Sequence, residues 1–173
     1  MGLERIWAGW RSSYVSNVAN VDVSPDDACV FCRLAEADDR KAALVLERTD
    51  TTLTAMNLYP YGSGHLLVAP RRHVADLEAL TDDEAGTFVA AQQRAIRALK
   101  AAYGPDGLNL GANLGRAAGA GIPSHLHMHL LPRWSGDTNF MTSIADTRVL
   151  PESLVETWAK VRAAWPDEGS TEG

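Results

Sequence analysis

The spacing of apolar positions along this chain changes several times, and each change marks an element. Residues 42–48 (AALVLER) and 51–57 (TTLTAMN) are short strand-like runs separated by Thr49-Asp50, which predicts a hairpin. A third run, HLLVAP at 65–70, follows the turn YPYGSG and is ended by Pro70. The period then lengthens, with apolar or small residues at 85, 88, 89, 95, 96, 99 and 102. That is one stripe of a helix over 82–103. Thr81-Asp82-Asp83-Glu84 reads as its capping box and Gly104-Pro105 as its stop. After it come a strand, LNLGAN at 108–113, a glycine-rich loop, LGRAAGAGIPS, and a strand carrying HLHMHLL from 125. Pro151 opens a final helix with Leu154, Val155, Trp158, Val161 and Trp165 on one face, and Pro166 ends it. A short helix runs from Cys29 to about Ala37.

Hairpin, strand, helix and two further strands make an α+β domain with a mostly antiparallel sheet, a long helix and a C-terminal helix. The LNLGAN and HLHMHLL runs are expected to be sheet neighbours, so the loop joining them ends beside the histidines. The 173 residues suit one domain. Its expected extent is 29–166, preceded by an aromatic arm and loop (1–28, with Trp7, Trp10, Tyr14 and Val15) and followed by a disordered tail, 167–173.

Composition narrows the function classes. The chain is 46% hydrophobic and 22% charged, with net charge −6 and no long basic run, which argues against non-specific nucleic-acid binding. A small anionic substrate stays compatible, because a local site can oppose the global sign. No apolar run approaches the roughly 20 residues that span a bilayer. The N-terminus lacks the apolar core of a signal peptide, so a cytoplasmic location is expected.

Three of the five histidines, His125, His127 and His129, alternate within one run. In a strand they share a face, with Leu126, Met128 and Leu130 on the other. Three imidazoles side by side point to metal binding, nucleophilic or acid–base chemistry, or phosphate binding; a chance run with one satisfied core histidine is the plainer reading. A bare three-histidine catalytic zinc site would leave Cys29 and Cys32 without a role. Those cysteines, as Cys-Val-Phe-Cys, form a metal half-site, a redox pair or two inert thiols. A redox pair should follow a strand, whereas VDVSPDDA precedes this one. The glycine-rich loop is neither a P-loop nor a dinucleotide fingerprint, and it offers backbone amides to an anion or serves as a plain turn.

HLHMHLLPRW at 125–134 resembles the signature of the histidine triad (HIT) family. NLYPYGSGHLLVAPRRH at 57–73 is similar to the family's upstream block, and NLGRAAGAG to its phosphate loop. Together with HLHMHLLPRWSGDTNF they place the chain nearest the bacterial diadenosine tetraphosphate phosphorylase-like branch.

The resemblance implies a HIT-like fold, a homodimer, a nucleotide substrate and no organic cofactor. His127 is then the nucleophile that forms a covalent nucleotidyl-histidine, and His129 assists at the phosphate and leaving group. Asn113, Ala120 and Gly121 are expected at the phosphate, Asn57 at the ribose, and Val30, Phe31 and Leu34 at the base. Cys29, Cys32, His73 and His125 match the ligands of a structural zinc. His65 reads as packing beside the site or as a direct contact, and Trp134 as strand-end packing or as the border of the substrate cleft. Some family members carry a hydroxyl where this loop has Ala120-Gly121, and Ser124 faces away from His127 if the strand has begun by then. The implied activity is cleavage of dinucleoside polyphosphates by phosphorolysis or hydrolysis. A nucleoside phosphoramidate hydrolase and a non-catalytic zinc-stabilised nucleotide-binding protein are the alternatives.

Overall fold

A computed structural model describes residues 29–137 and 152–166. The expected arm and tail lie outside them. Helix α1 (Val30–Glu36) leads into strands β1 (Val45–Arg48), β2 (Thr52–Met56) and β3 (Leu66–Pro70). The long helix α2 (Asp82–Tyr103) follows, then β4 (Gly107–Gly111), β5 (Met128–Arg133) and helix α3 (Leu154–Ala163). The five strands form one antiparallel sheet in the order β1-β2-β3-β5-β4. Among the described residues no helix is long and apolar enough to cross a membrane.

The pleat sorts side chains onto two faces. Leu66, Val68, Met128 and Leu130 share one face and pack with Phe88, Ala91, Ala95, Ala98 and Leu99 of α2. Leu53, Ala55, Leu67 and Ala69 share the other, packed with Cys29 and Phe31 of the α1 segment. His129 pairs with Leu67 across β3 and with Gly111 across β4, so it belongs to this second face. A Cβ at Gly111 would meet nothing within 4 Å, which leaves the flank of His129 bare on the β4 side.

The local signals hold where they are strongest. Thr81 and Glu84 form the expected capping box, and Gly104 closes α2 in the left-handed conformation. Several boundaries differ. β1 starts at Val45 and not 42, because the Asp39 carboxylate accepts from the Lys41 and Ala42 amides and holds a turn there. β4 ends at Gly111, leaving Asn113 in the loop. The last helix starts after Ser153, whose hydroxyl caps Glu156; the Pro151 expected to open it lies outside the described residues. Val89 and Val155 are exposed, while Ala91 and Ala98 carry the α2 contact instead.

α3 covers the β1 edge. The Trp158 indole donates to the Val45 carbonyl, and Trp165 donates to the buried Glu47 carboxylate, which Arg94 of α2 also grips with two nitrogens. The buried charge is therefore paired and hydrogen-bonded. Between β2 and β3, Gly64 has φ +75° and lies so close to β5 that a Cβ would sit 2.9 Å from Pro132 and 3.0 Å from Tyr103. Only glycine fits this turn, which delivers His65 to the sheet.

Candidate active site

The strand expected to begin at His125 begins at Met128. The His125 amide instead lies on the Ile122 carbonyl, and the Leu126 amide donates to the Val74 carbonyl beyond β3. The backbone stays extended enough to preserve the alternation. Leu126 enters the α2 core, while the three imidazoles turn to the other face.

Cys29, Cys32, His73 and His125 converge, with their ligand atoms all within 4.8 Å of one another. Cys29 Sγ lies 3.2 Å from His125 Nδ1, and Cys32 Sγ lies 3.3 Å from His73 Nδ1. Donors around a tetrahedral zinc stand about 3.6 Å apart at bond lengths of roughly 2.0–2.3 Å, so the set fits that ion. His125 Nε2–H donates to the Pro70 carbonyl at 2.8 Å, which leaves the Nδ1 lone pair turned to the sulfurs. Four protein ligands would close the coordination shell, so a metal held here would be structural.

His127 is buried, and its Nδ1–H donates to the His125 carbonyl at 2.8 Å. Burial lowers its pKa from the ordinary value near 6.5, which keeps the ring neutral at pH 7. Nε2 then carries the free lone pair.

His129 is arranged the other way. The Tyr61 amide donates to His65 Nδ1 at 3.0 Å, so His65 holds its own proton on Nε2. That Nε2–H donates to His129 Nδ1 at 2.9 Å. His129 is thereby neutral with a proton on Nε2, and this buried N–H has no partner among the described residues. Burial first, and then the neighbouring His127, lower its pKa to about 4. His65 is fully buried and touches the ring it orients. Its signal in the sequence was only a lone histidine after a glycine.

Rings continue this row at both ends. Phe31 lies 5.1 Å from the His125 ring and 5.0 Å from that of His127, and Tyr61 stacks on His129 at 5.7 Å. Val30 and Leu34 are half-buried beside Phe31, which is itself 2% exposed. Asn57 accepts from the Tyr59 amide and its Nδ2 lies 3.3 Å from His65, so it stands at the His129 end. Asn113 spans the glycine-rich loop to the Gly119 carbonyl; Ala120 is buried and Gly121 exposed. Ser124 precedes the strand, and its buried hydroxyl has no partner among the described residues. Trp134 is not brought to the histidines. It packs edge-on against Tyr103 at the end of α2, 5.8 Å away.

The chain matches the HIT domain over residues 39–136. It is 39% identical to the AP-4-A phosphorylase of Mycobacterium tuberculosis over 168 residues, 94% of this chain and 85% of that protein. It is 27% identical to the adenosine 5'-monophosphoramidase hnt1 of Schizosaccharomyces pombe, over 61% of this chain and 74% of that one. A zinc-bound histidine triad family protein from Mycobacterium smegmatis superposes with a TM-score of 0.64 at 29% identity, covering 80% of this chain and 93% of that structure. The chain belongs to the histidine triad family.

Proposed function

We propose that this member of the histidine triad family cleaves dinucleoside polyphosphates through a covalent nucleotidyl-histidine on His127. One observation carries the reading: neighbouring imidazoles present a lone pair at His127 Nε2 and an orphaned N–H at His129 Nε2. The first is a nucleophile; the second is a donor for a phosphate oxygen. His127 Nε2 attacks the α-phosphorus, and the bond to the bridging oxygen breaks. The electron pair leaves on the polyphosphate, whose charge the His129 N–H stabilises. An acceptor then attacks the same phosphorus and breaks the P–N bond, returning His127 to its neutral state.

The remaining parts fit these steps. Asn113, Ala120 and Gly121 frame the loop that holds phosphate oxygens. Asn57 keeps an amide proton for a ribose hydroxyl, and Val30 and Leu34 line the α1 side where a base would lie. Cys29, Cys32, His73 and His125 would hold a structural zinc, which braces α1 against the lead into β5 and supplies no chemistry. The outer edge of β4, with Leu110 and Leu114 exposed nearby, supports pairing with a second copy across a two-fold axis. Light scattering at micromolar concentration should give about twice the 18.7 kDa chain mass.

Similarity to the M. tuberculosis phosphorylase supports a polyphosphate leaving group, whereas similarity to hnt1 supports a phosphoramidate. Incubation with diadenosine tetraphosphate, with and without phosphate, decides. ADP plus ATP means phosphorolysis, and AMP plus ATP means hydrolysis. No turnover beside a cleaved nucleoside phosphoramidate transfers the assignment to that reaction. Absence of nucleotidyl-protein after rapid quenching with either substrate leaves only a binding function.

A further inference from the structure

We infer that Phe31 is a positioning residue for His127, and that the cysteine–histidine cluster acts on the reaction through it. The inference rests on the nucleophile assignment above. Phe31 lies between Cys29 and Cys32 in the chain and is 2% exposed, so its ring offers no free face for a base to stack on. Its ring packs on His127 at 36° between planes, and on His125 at 53°. Val30 and Leu34, half-buried on the same helix, are the residues left for a base.

His127 is held at one point by the hydrogen bond from Nδ1 to the His125 carbonyl. That bond leaves the ring free to tilt about it. Phe31 packs against the ring at 5.0 Å, and His129 meets it edge-on at 5.0 Å, so both contacts resist the tilt. Phe31 can resist only if α1 itself is fixed. The two cysteine sulfurs gather with His73 and His125, so a shared metal would tie α1 to the β3 end and to the backbone whose carbonyl accepts the His127 hydrogen bond. The metal would then join α1, Phe31 and His127 into one continuous train of contacts. A displacement near 1 Å at a reacting atom costs about 100-fold in rate.

The test compares wild type, Phe31→Ala, Phe31→Leu and wild type stripped of zinc by a chelator. Each is mixed with diadenosine or diguanosine tetraphosphate and quenched, and nucleotidyl-histidine is counted by intact mass. Zinc is measured in each sample. Phe31→Ala, with zinc retained, should form the adduct at least about tenfold more slowly at saturating substrate. The factor should be the same for both bases, with KM changed by less than about threefold. Phe31→Leu should fall between. Zinc-free wild type should slow similarly and recover when zinc is returned. Chelating Phe31→Ala should add little, because the two changes cut the same train. Nitrogen NMR gives a readout independent of turnover: His127 should hold one tautomer in zinc-loaded wild type and a mixture after either change. A base-dependent rise in KM with an unchanged saturated rate would make Phe31 a base contact and overturn the inference. Full-rate adduct formation in zinc-free wild type overturns the metal's part. Wild type that forms no adduct with either substrate overturns the nucleophile assignment, and the inference with it.

Discussion

The two ends of the histidine row prepare adjacent imidazoles in opposite states. At the α1 end, His127 donates a hydrogen bond to a carbonyl two residues back and shows a bare nitrogen to the cleft. At the Tyr61 end, His129 accepts a hydrogen bond from His65, 64 positions away, and shows an N–H. Spacing in the chain is identical, yet the chemistry differs, because a ring's outer nitrogen is set by what its inner nitrogen meets. One device is local backbone; the other is a side chain brought in by the β2–β3 turn.

The comparison breaks most sharply at the bare nitrogen. His127→Asn should lower turnover by at least about a thousandfold while nucleotide binding stays within about tenfold. Kinetics with calorimetric titration of the nucleotide checks this. At the other end, His65→Leu removes the donor to His129 and the acceptor for the Tyr61 amide. Turnover should fall by about 10- to 100-fold with zinc content unchanged, while His65→Gln, which keeps a donor, recovers part of it. Equal losses in both variants would mean that His65 only fills space.

Cys29→Ser should abolish stoichiometric zinc and lower the melting temperature by more than about 5 °C, since a closed metal site contributes to folding. Metal analysis and a thermal scan suffice. A smaller effect concerns acid. His129 titrates near 4 in the fold and near 6.5 outside it, so between these values the unfolded chain binds more protons. Its contribution to stability is complete above pH 6.5 and is lost as pH falls towards 4. The melting temperature of His129→Gln should decline less steeply across that window than wild type. The smallest change is expected off the row: Trp134→Ala should cost a few degrees of melting temperature, roughly 1 kcal/mol. Equal effects on substrates with and without a second base would mean that Trp134 serves packing on Tyr103 alone, and a loss confined to the substrate with a second base would put it at the border of the cleft.

What the sequence reveals follows the same division between local and distant. The α2 capping box and its Gly104 stop are encoded within a few residues and appear as read. The alternation of His125, His127 and His129 survives even though the strand starts three residues late, because an extended lead keeps the same two-residue period. The four residues that the family resemblance implies as metal ligands do converge. The stripe read from the sequence took in Val89 and left out Ala91, because alanine is a weak apolar marker; helical phase puts Ala91 with Phe88, Ala95, Ala98 and Leu99 and turns Val89 outward. Trp134 packs on Tyr103 at the end of α2, a contact that nothing in the local pattern PRW announces. The clamp of Arg94 and Trp165 on Glu47 joins residues 118 positions apart at its longest, and no local pattern announces it.

The dispersal of the metal ligands also orders events in the life of the chain. Cys29 and His125 are 96 positions apart, and closing so long a loop costs more chain entropy than any hairpin. The α1 segment offers two sulfurs, the segment after β3 adds His73, and the lead into β5 adds His125, held beside the Val74 and Pro70 carbonyls. The four donors lie together where the sheet has brought the ends of β3 and β5 to α1. Zinc uptake by newly made protein would then report completed topology, and a chelator present throughout should leave the sheet without this latch.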